Sequence, residues 1–496
     1  MTRAAMSARR SLGVVGGLGP LASADVFFKL VKSTPARSDG EHFDVVFEQH
    51  PYQDPSGGIE PVSAEGKLRI YDTIRDFERR GIATIVLPSF VSHTFIDELR
   101  ENVHTPIVDM LDALRAHLRR RFPGARRIGV LTSDYVRNQR LFEKYFPQPE
   151  FEVLYARPAP DGRPDRVTRA VYGEEGIKAG NLHGRPVELL REACEDLIAQ
   201  GAHVLVPGLT EIGLVVSQID LLDAPLIDSN LIYAQYVVSG EYGGGSRAFK
   251  VGVVGGVGPA ATVDFMRKLV RNTPATRDQD HLKVLVEQNP QIPDRTENLI
   301  SDGPDPTISL YATCRKLEDG DADIIAIPCN TAHAYVERIQ PYLNVPIVNM
   351  LTVTVDYLRS TFPALREVGL LATSGTIASG VYEKALETAG LTQVVPGPAL
   401  QARVMNAIYG PQGVKAGFTS GACMDDICSA VDALVERGVE VIVLGCTELP
   451  LLLPEGEFTA GNGRTIRLAD PTAILARRCV AYARGEESVD SGHVQG

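Results

Sequence analysis

The sequence predicts an α/β protein built from two tandem copies of one unit, each with parallel sheets covered by helices. Three observations carry this. Segments recur in the same order at an almost fixed offset. Short apolar runs rich in β-branched residues alternate with amphipathic stretches, the pattern of buried parallel strands joined by helices. The motifs of each copy also fall into two halves, so each unit is expected to hold two similar subdomains with a ligand cleft between them, beyond the carboxyl ends of the strands.

The repeat runs from end to end. GVVGGLGP (13–20) answers GVVGGVGP (252–259), and ADVFFKLVKSTPARSD (24–39) answers VDFMRKLVRNTPATRD (263–278). LPSFVSHTF (87–95) pairs with IPCNTAHAY (327–335), VYGEEGIKAG (171–180) with IYGPQGVKAG (408–417), and VPGLTEIG (206–213) with VLGCTELP (443–450). The offset stays between 237 and 240 residues, so gaps are few. The units are expected at 1–247 and 248–496, with EYGGGSRAFK (241–250) as a short flexible join and ARGEESVDSGHVQG (483–496) as a frayed polar tail.

In the second copy the expected strands are FKVGVVGG (249–256), LKVLVEQ (282–288), ADIIAIPC (322–329), VPIVNM (345–350), VGLLATS (368–374), VEVIVLGC (439–446) and TIRLAD (465–470). Helices are expected over AATVDFMRKLVRNTP (260–274), SGVYEKALETAGL (379–391) and ACMDDICSAVDALVERG (422–438). GGVGP does not match the G-x-G-x-x-G dinucleotide pattern, because Pro259 and Ala260 follow it, and it lacks the Walker lysine. It reads as a tight strand-to-helix turn.

Composition narrows the function classes. The formal charge is −12, and the densest basic stretch, HLRRRFPGARR (117–127), reads as a helix end running into a strand. That argues against nucleic acid as a partner. No apolar run reaches the roughly 18 residues of a membrane span. The basic start, MTRAAMSARR, leads into a glycine-rich strand rather than a secretory segment, so the cytoplasm is the expected location. The seven cysteines form no disulfide framework. Cys194, Cys314, Cys423, Cys428 and Cys479 read as buried helical thiols, and Cys423 and Cys428 lack zinc-site spacing.

Cys329 and Cys446 differ from these, since each follows an apolar strand, and the two come from different halves of the second copy. Two thiols facing one carbon can invert it: one removes a proton and the other returns a proton to the opposite face. A thiol pKa near 8.5 suits the task and responds to nearby charge. Asn330, Thr331 and Thr447 are placed to hold an α-carboxylate, and Thr373 and Ser374 lie in a second hydroxyl-rich strand exit with Thr376. Arg295 and Lys415 can hold a second carboxylate, and His333 and Glu448 can each tune the neighbouring thiol. No cofactor and no metal is implied by any ligand cluster or Schiff-base lysine motif.

PCNTAH (328–333), GCTEL (445–449) and VGGVGPAAT (254–262) make the second copy resemble the aspartate/glutamate racemase family, aspartate racemases above all, over essentially its whole length. The resemblance implies two α/β subdomains with the active site in their cleft, and pyridoxal-phosphate-independent interconversion of L- and D-aspartate or glutamate. It implies Cys329 and Cys446 as acid and base, with Asn330, Thr331, Thr447 and Thr373 or Ser374 at the α-carboxylate. Arg295 and Lys415 would hold the side-chain carboxylate. Because many members form homodimers, it also implies that the two copies pack as an internal pseudo-dimer.

The first copy departs from the pattern: Ser89 and Leu209 stand at the cysteine positions, and Phe90 and Val91 replace the Asn–Thr pair. TSDYV (132–136) replaces ATSGT (372–376), and HPYQDPSGG (50–58) is followed by no counterpart of Arg295, whereas His93, Lys178, Thr210 and Glu211 remain. The first copy is therefore expected to be non-catalytic. The rival enzyme reading is another carbon-acid reaction of the same superfamily, as in hydantoin racemases, maleate isomerases or arylmalonate decarboxylases. The retained cysteine pair and Arg295/Lys415 weigh against these. The rival non-enzyme reading is a small-acid-binding or assembly protein, against which the intact second set of residues weighs.

Overall fold

The computed structural model describes residues 11–17, 19–50, 63–158, 164–221, 223–242 and 247–489. The chain forms two compact units that divide between Arg247 and Ala248.

In the first unit the strands are β1 (Ser11–Gly16), β2 (Asp44–Gln49), β3 (Thr84–Val86), β4 (Ile107–Val108), β5 (Arg127–Leu131), β6 (Glu152–Tyr155) and β7 (Val204–Pro207). They form two sheets, ordered β2-β1-β3-β4 and β6-β5-β7, and every pairing is parallel. In the second unit the strands are β8 (Lys250–Gly255), β9 (Lys283–Gln288), β10 (Ile324–Ala326), β11 (Ile347–Val348), β12 (Glu367–Leu371), β13 (Thr392–Val394), β14 (Val441–Leu444), β15 (Gly456–Thr459) and β16 (Thr465–Ala469). Here the sheets run β11-β10-β8-β9 and β13-β12-β14-β16-β15.

Two short edge strands escape the sequence reading. β13 has three residues with no apolar run, and β15 pairs antiparallel with β16 as a half-exposed hairpin arm. The first unit has no such hairpin among its described residues. Its stretch from Leu209 to Asp228 is five residues shorter than the matching stretch from Cys446 to Asp470, and a single parallel bridge, Leu205 to Leu226, stands in place of β16.

The helices follow from local chemistry. Pro259 starts the helix Pro259–Asn272, where its missing N–H is not needed. Asn349 caps Met350–Thr361 by accepting from the Leu351 and Thr352 N–H groups, at 3.0 and 3.2 Å. The helix Pro471–Ala483 packs against Pro259–Asn272, and Lys268 ties them through Asp264, Asp470 and the Thr472 hydroxyl. One core of the second unit draws on both of its sheets: Val251, Val253 and Ile324 from the first, Leu370, Val441 and Val443 from the second. Each such side chain contributes about 1.5–3 kcal/mol by leaving water. This shared core fixes the two strand-end faces relative to one another.

The five helical cysteines lie in helices and are free thiols, but Cys428 is only partly buried, a correction to the expected set. Its neighbours Asp425 and Asp432 place it toward the polar side of its helix. Among the described residues no helix is long and apolar enough to cross a membrane.

Candidate active site

Both cysteines of the second copy follow the carboxyl end of an inner strand. After β10 the chain turns through Ile327 and Pro328, and the Cys329 N–H donates to the Ile327 carbonyl at 2.7 Å. After β14, Gly445 and Cys446 lead into a turn in which the Leu449 N–H donates to the Cys446 carbonyl at 3.0 Å. Each cysteine is 6 % exposed. A turn at a strand end is where a side chain can leave the apolar core while its backbone stays anchored to it.

Cys446 lies in a charged network. Its thiol donates to Glu448 Oε2 at 3.0 Å, and Lys415 Nζ donates to Glu448 Oε1 at 3.0 Å. Burial and then the Glu448 carboxylate push the Cys446 pKa well above its usual value, with Lys415 opposing them. Glu448 is held close to the first glycine-rich turn. Gly258 has φ +116°, and a Cβ there would meet Glu448 Oε1 at 2.6 Å, so glycine alone fits. Lys415 also lies over the Tyr409 ring, 5.1 Å from its centroid.

Cys329 has a cation beside it. Arg295 begins the helix Arg295–Ser301, is 6 % exposed, and reaches the Cys329 thiol. Burial opposes the guanidinium charge, but Cys329, Asp294 and Tyr409 outweigh it and raise the Arg295 pKa. Nη1 donates to the Ile292 and Pro293 carbonyls at 3.4 and 3.1 Å, whereas the buried Nε has no hydrogen-bond partner. Asn330 resembles it in this respect. Its Oδ1 accepts from Tyr382 Oη at 2.6 Å, and its Nδ2 is buried without a partner. Buried donors left without acceptors are rare in folded proteins and costly.

Hydroxyl groups join the two halves. Thr331 and Thr376 meet at 2.7 Å, Thr331 and Thr373 at 3.3 Å, and Thr296 donates to Thr373 at 3.0 Å. Thr373 also caps the short helix Ser374–Ala378. Tyr409 crosses the same boundary, with Oη 3.1 Å from Asp294 Oδ2. Thr447 is buried beside Glu448, its hydroxyl 3.4 Å from Oε2. Ser374 lies farther out and accepts from Gln401 Nε2 at 3.2 Å.

The structure changes two readings. His333 does not act on the thiol. Its Nδ1 lies 2.9 Å from the Cys329 carbonyl, and its Nε2 accepts from the Met350 N–H at 3.0 Å. Both nitrogens serve the main chain, and burial lowers its pKa to about 4, so the ring is neutral. Lys415 is not simply a free cation for a ligand, since Glu448 already pairs with it. Sequence reasoning missed Tyr382, Thr296 and Tyr409. Only the tyrosine before the GVKAG motif carried a hint, since the first copy has Tyr172 in the same place.

The His333 arrangement makes a stability prediction. An unfolded histidine takes its proton near 6.5, whereas folded His333 resists protonation to about 4. The unfolded state therefore binds more protons in that window, and stability is lost as pH falls through it. The expected loss at pH 4.5 is on the order of 2 kcal/mol from this residue. Denaturant melts at pH 7 and 4.5 should show a shallower pH slope in His333→Gln than in the parent chain.

The first unit keeps the backbone and alters the chemistry in matched pairs. Ser89 repeats the strand-end turn at 2.8 Å to Leu87, and His93 repeats both ring hydrogen bonds, to Ser89 and Met110. Lys178 still pairs with Glu211 at 3.1 Å. Where the second unit has the Asn330–Tyr382 hydrogen bond, the first has Phe90 stacked on Phe142 at 5.6 Å. Val91 and Val136 stand where Thr331 and Thr376 bond. The counterpart region of Arg295, after HPYQDPSGG, falls at 51–62, outside the described residues.

Paired subdomains with reactive side chains at their strand ends define a class of α/β enzymes that work in a cleft. The Asp/Glu/Hydantoin racemase family model matches residues 15–237 and 254–479, and the chain belongs to that family. Membership makes it a cofactor-independent, pyridoxal-phosphate-independent racemase, present as a tandem repeat. The broad specificity amino-acid racemase RacX of Bacillus subtilis is 27% identical over 237 residues, covering 47% of this chain and 96% of that protein. The glutamate racemase of Aquifex pyrophilus is 27% identical over 162 residues, covering 32% of this chain and 58% of the relative. The solved Picrophilus torridus aspartate racemase shares 28% identity, with TM-score 0.42, over 49% of this chain and 97% of that one.

Proposed function

We propose that residues 248–496 interconvert the enantiomers of an acidic amino acid, aspartate first, by two-cysteine proton transfer at Cα, and that residues 1–247 are not catalytic. The observation that carries this reading is that each thiol has its own charged partner: Glu448 and Lys415 at Cys446, Arg295 at Cys329.

Cys446 rests as a protonated thiol and is the acid. Cys329 takes the proton from the enantiomer whose Cα–H faces it. Cys446 then delivers its hydrogen to the opposite face, and Glu448 accepts the Cys446 proton when the roles reverse. The partnerless donors Asn330 Nδ2 and Arg295 Nε donate to the substrate's carboxylates. Asn330, with Thr331 and Thr447, holds the α-carboxylate as charge builds on it, which lowers the barrier most if the donors are already in place. Arg295 holds the side-chain carboxylate, with the partly neutralised Lys415 as the second cation. Thr373 orders the hydroxyl cluster, and Ser374 lies at its outer edge. An acidic amino acid is preferred over a neutral one because the buried Arg295 guanidinium without a second carboxylate would be costly, and aspartate is put first through the family resemblance.

Chiral chromatography of L-aspartate incubated with the purified chain and reductant, without added cofactor, tests the proposal. D-Aspartate should accumulate to an equal mixture. Exchange of glutamate alone would move the substrate, and inertness toward all amino acids would overturn the reading. Glu448→Gln should lower kcat/KM about 10²-fold, the scale of a lost general acid–base partner. Since the two enantiomers are equal in energy, the loss in kcat/KM must be the same in both directions. A loss confined to KM would contradict the assigned role. The internal pseudo-dimer is also part of the proposal: a compact single-chain particle in solution scattering supports it, and independently reorienting units overturn it.

A further inference from the structure

A cavity of the second unit lies behind the Cys329 loop. It has a volume of about 520 Å³ and is lined by His333, Asn349, Leu351, Val355, Val381 and Ala385, among others, with Glu337 and Lys384 at its rim. The rim pair is bonded at 3.0 Å. Leu351 and Val355 are buried apolar walls. Asn349 is 8 % exposed, its oxygen is used in capping the next helix, and its NH₂ group has no partner among the described residues. The wall is mixed: an apolar face of Leu351, Val355, Val381, Ala385 and Ala389 stands beside the polar side chains of His333, Asn349, Thr352, Asp356 and Thr388, so a ligand can bury a ring and be oriented by polar contacts.

The first unit shows what fits there. LFEKYF (141–146) matches VYEKAL (381–386), and VDML (108–111) matches VNML (348–351), so Tyr145 stands at the position of Ala385 and Asp109 at that of Asn349. The Tyr145 ring is buried in the first unit's core, and its hydroxyl donates to Asp109 Oδ2 at 2.6 Å. Arg115 likewise stands where the second unit has Val355. The rim pair persists as Lys144 and Asp97. The same backbone therefore encloses a phenol ring in one copy and an open cavity in the other.

We propose that this cavity is a binding site for a small phenol-class ligand, an aromatic ring with one hydroxyl, seated as the Tyr145 ring is seated in the first unit. The ring lies against Leu351, Val355 and Val381, over the space left by Ala385. The ligand's oxygen accepts from the Asn349 NH₂ group. The site is separate from the proton-transfer residues and does not depend on the racemase reading. It adjoins that site through His333, whose ring nitrogens hold the Cys329 carbonyl and the Met350 N–H, and through Val381, next to the Tyr382 that bonds Asn330.

The probe is p-cresol, the tyrosine side chain as a free molecule, with toluene as its hydroxyl-free counterpart. Saturation-transfer NMR on the full chain should show saturable p-cresol binding, several-fold tighter than toluene. Ala385→Tyr, which installs the first unit's plug, should weaken p-cresol binding by at least about tenfold, and Ala385→Phe should do the same. Photolabelling of the parent chain with 4-azidophenol locates the site without any substitution, and the label is expected within 349–356 or 381–389. Absence of saturable binding, unchanged binding in a folded plug variant, or labelling elsewhere that p-cresol competes away would overturn the proposal.

Discussion

Cys329→Ser and Cys446→Ser are each expected to abolish interconversion of the aspartate enantiomers, by a factor of about 10³ or more, while each keeps hydrogen exchange at Cα of one enantiomer only. The enantiomers must be opposite for the two variants. A variant with one thiol can still remove and return a proton on its own face, which exchanges the hydrogen without inverting the carbon. Serine keeps the size but is a far weaker base. The assignment of Cys446 as the resting acid rests on its buried position and its hydrogen bond to the Glu448 carboxylate. Solvent deuterium entering L- and D-aspartate, measured separately by chiral chromatography with mass spectrometry, decides the point. Equal exchange of both enantiomers by either single variant would contradict a two-face mechanism.

The second large effect is expected from moving the first unit's aromatic pair into the second. Asn330→Phe with Tyr382→Phe should leave the chain folded, within about 2 kcal/mol of the parent, yet lower kcat/KM by about 10²–10³-fold. The first unit already packs Phe90 on Phe142 in the corresponding places. Asn330→Phe alone should cost more stability than the pair. It would remove the acceptor of a fully buried tyrosine hydroxyl, at roughly 1–3 kcal/mol for the group left unsatisfied. Tyr382 also adjoins the Thr354 hydroxyl, so part of that cost is compensated locally. Urea melts and aspartate turnover on the two single variants and the double variant give a complete cycle. Retained activity in the double variant would remove Asn330 from the α-carboxylate site.

What the sequence made legible follows from where each residue stands. Cys329, Cys446 and Glu448 sit in strand-end motifs, and strands announce themselves through β-branched runs, so their placement could be read directly. Lys415 was legible as a charge but not as the partner of Glu448, since 33 residues separate them and only the fold brings them to 3.0 Å. His333 was misread for a related reason. Adjacency in sequence suggested action on the thiol, but the turn carries the ring back to the main chain at Cys329 and across to Met350. Tyr382 and Thr296 lie in helices without a motif, Tyr409 stands at the start of the repeated IYGPQGVKAG segment, and the roles of all three come from contacts that only the fold makes. The strands β13 and β15 were missed because edge strands need not be apolar runs. The matched exchange of Asn330–Tyr382 for Phe90–Phe142 becomes visible only when the contact is known.

The most direct test of the two-thiol account is the isotopic composition of the first D-aspartate formed from L-aspartate in D₂O. Proton removal by one thiol and delivery by the other predicts that this product carries deuterium at Cα from the earliest turnovers, while the remaining L-aspartate stays largely protiated. Early D-aspartate that retains the substrate's own Cα hydrogen would show one group working on both faces and would contradict the account.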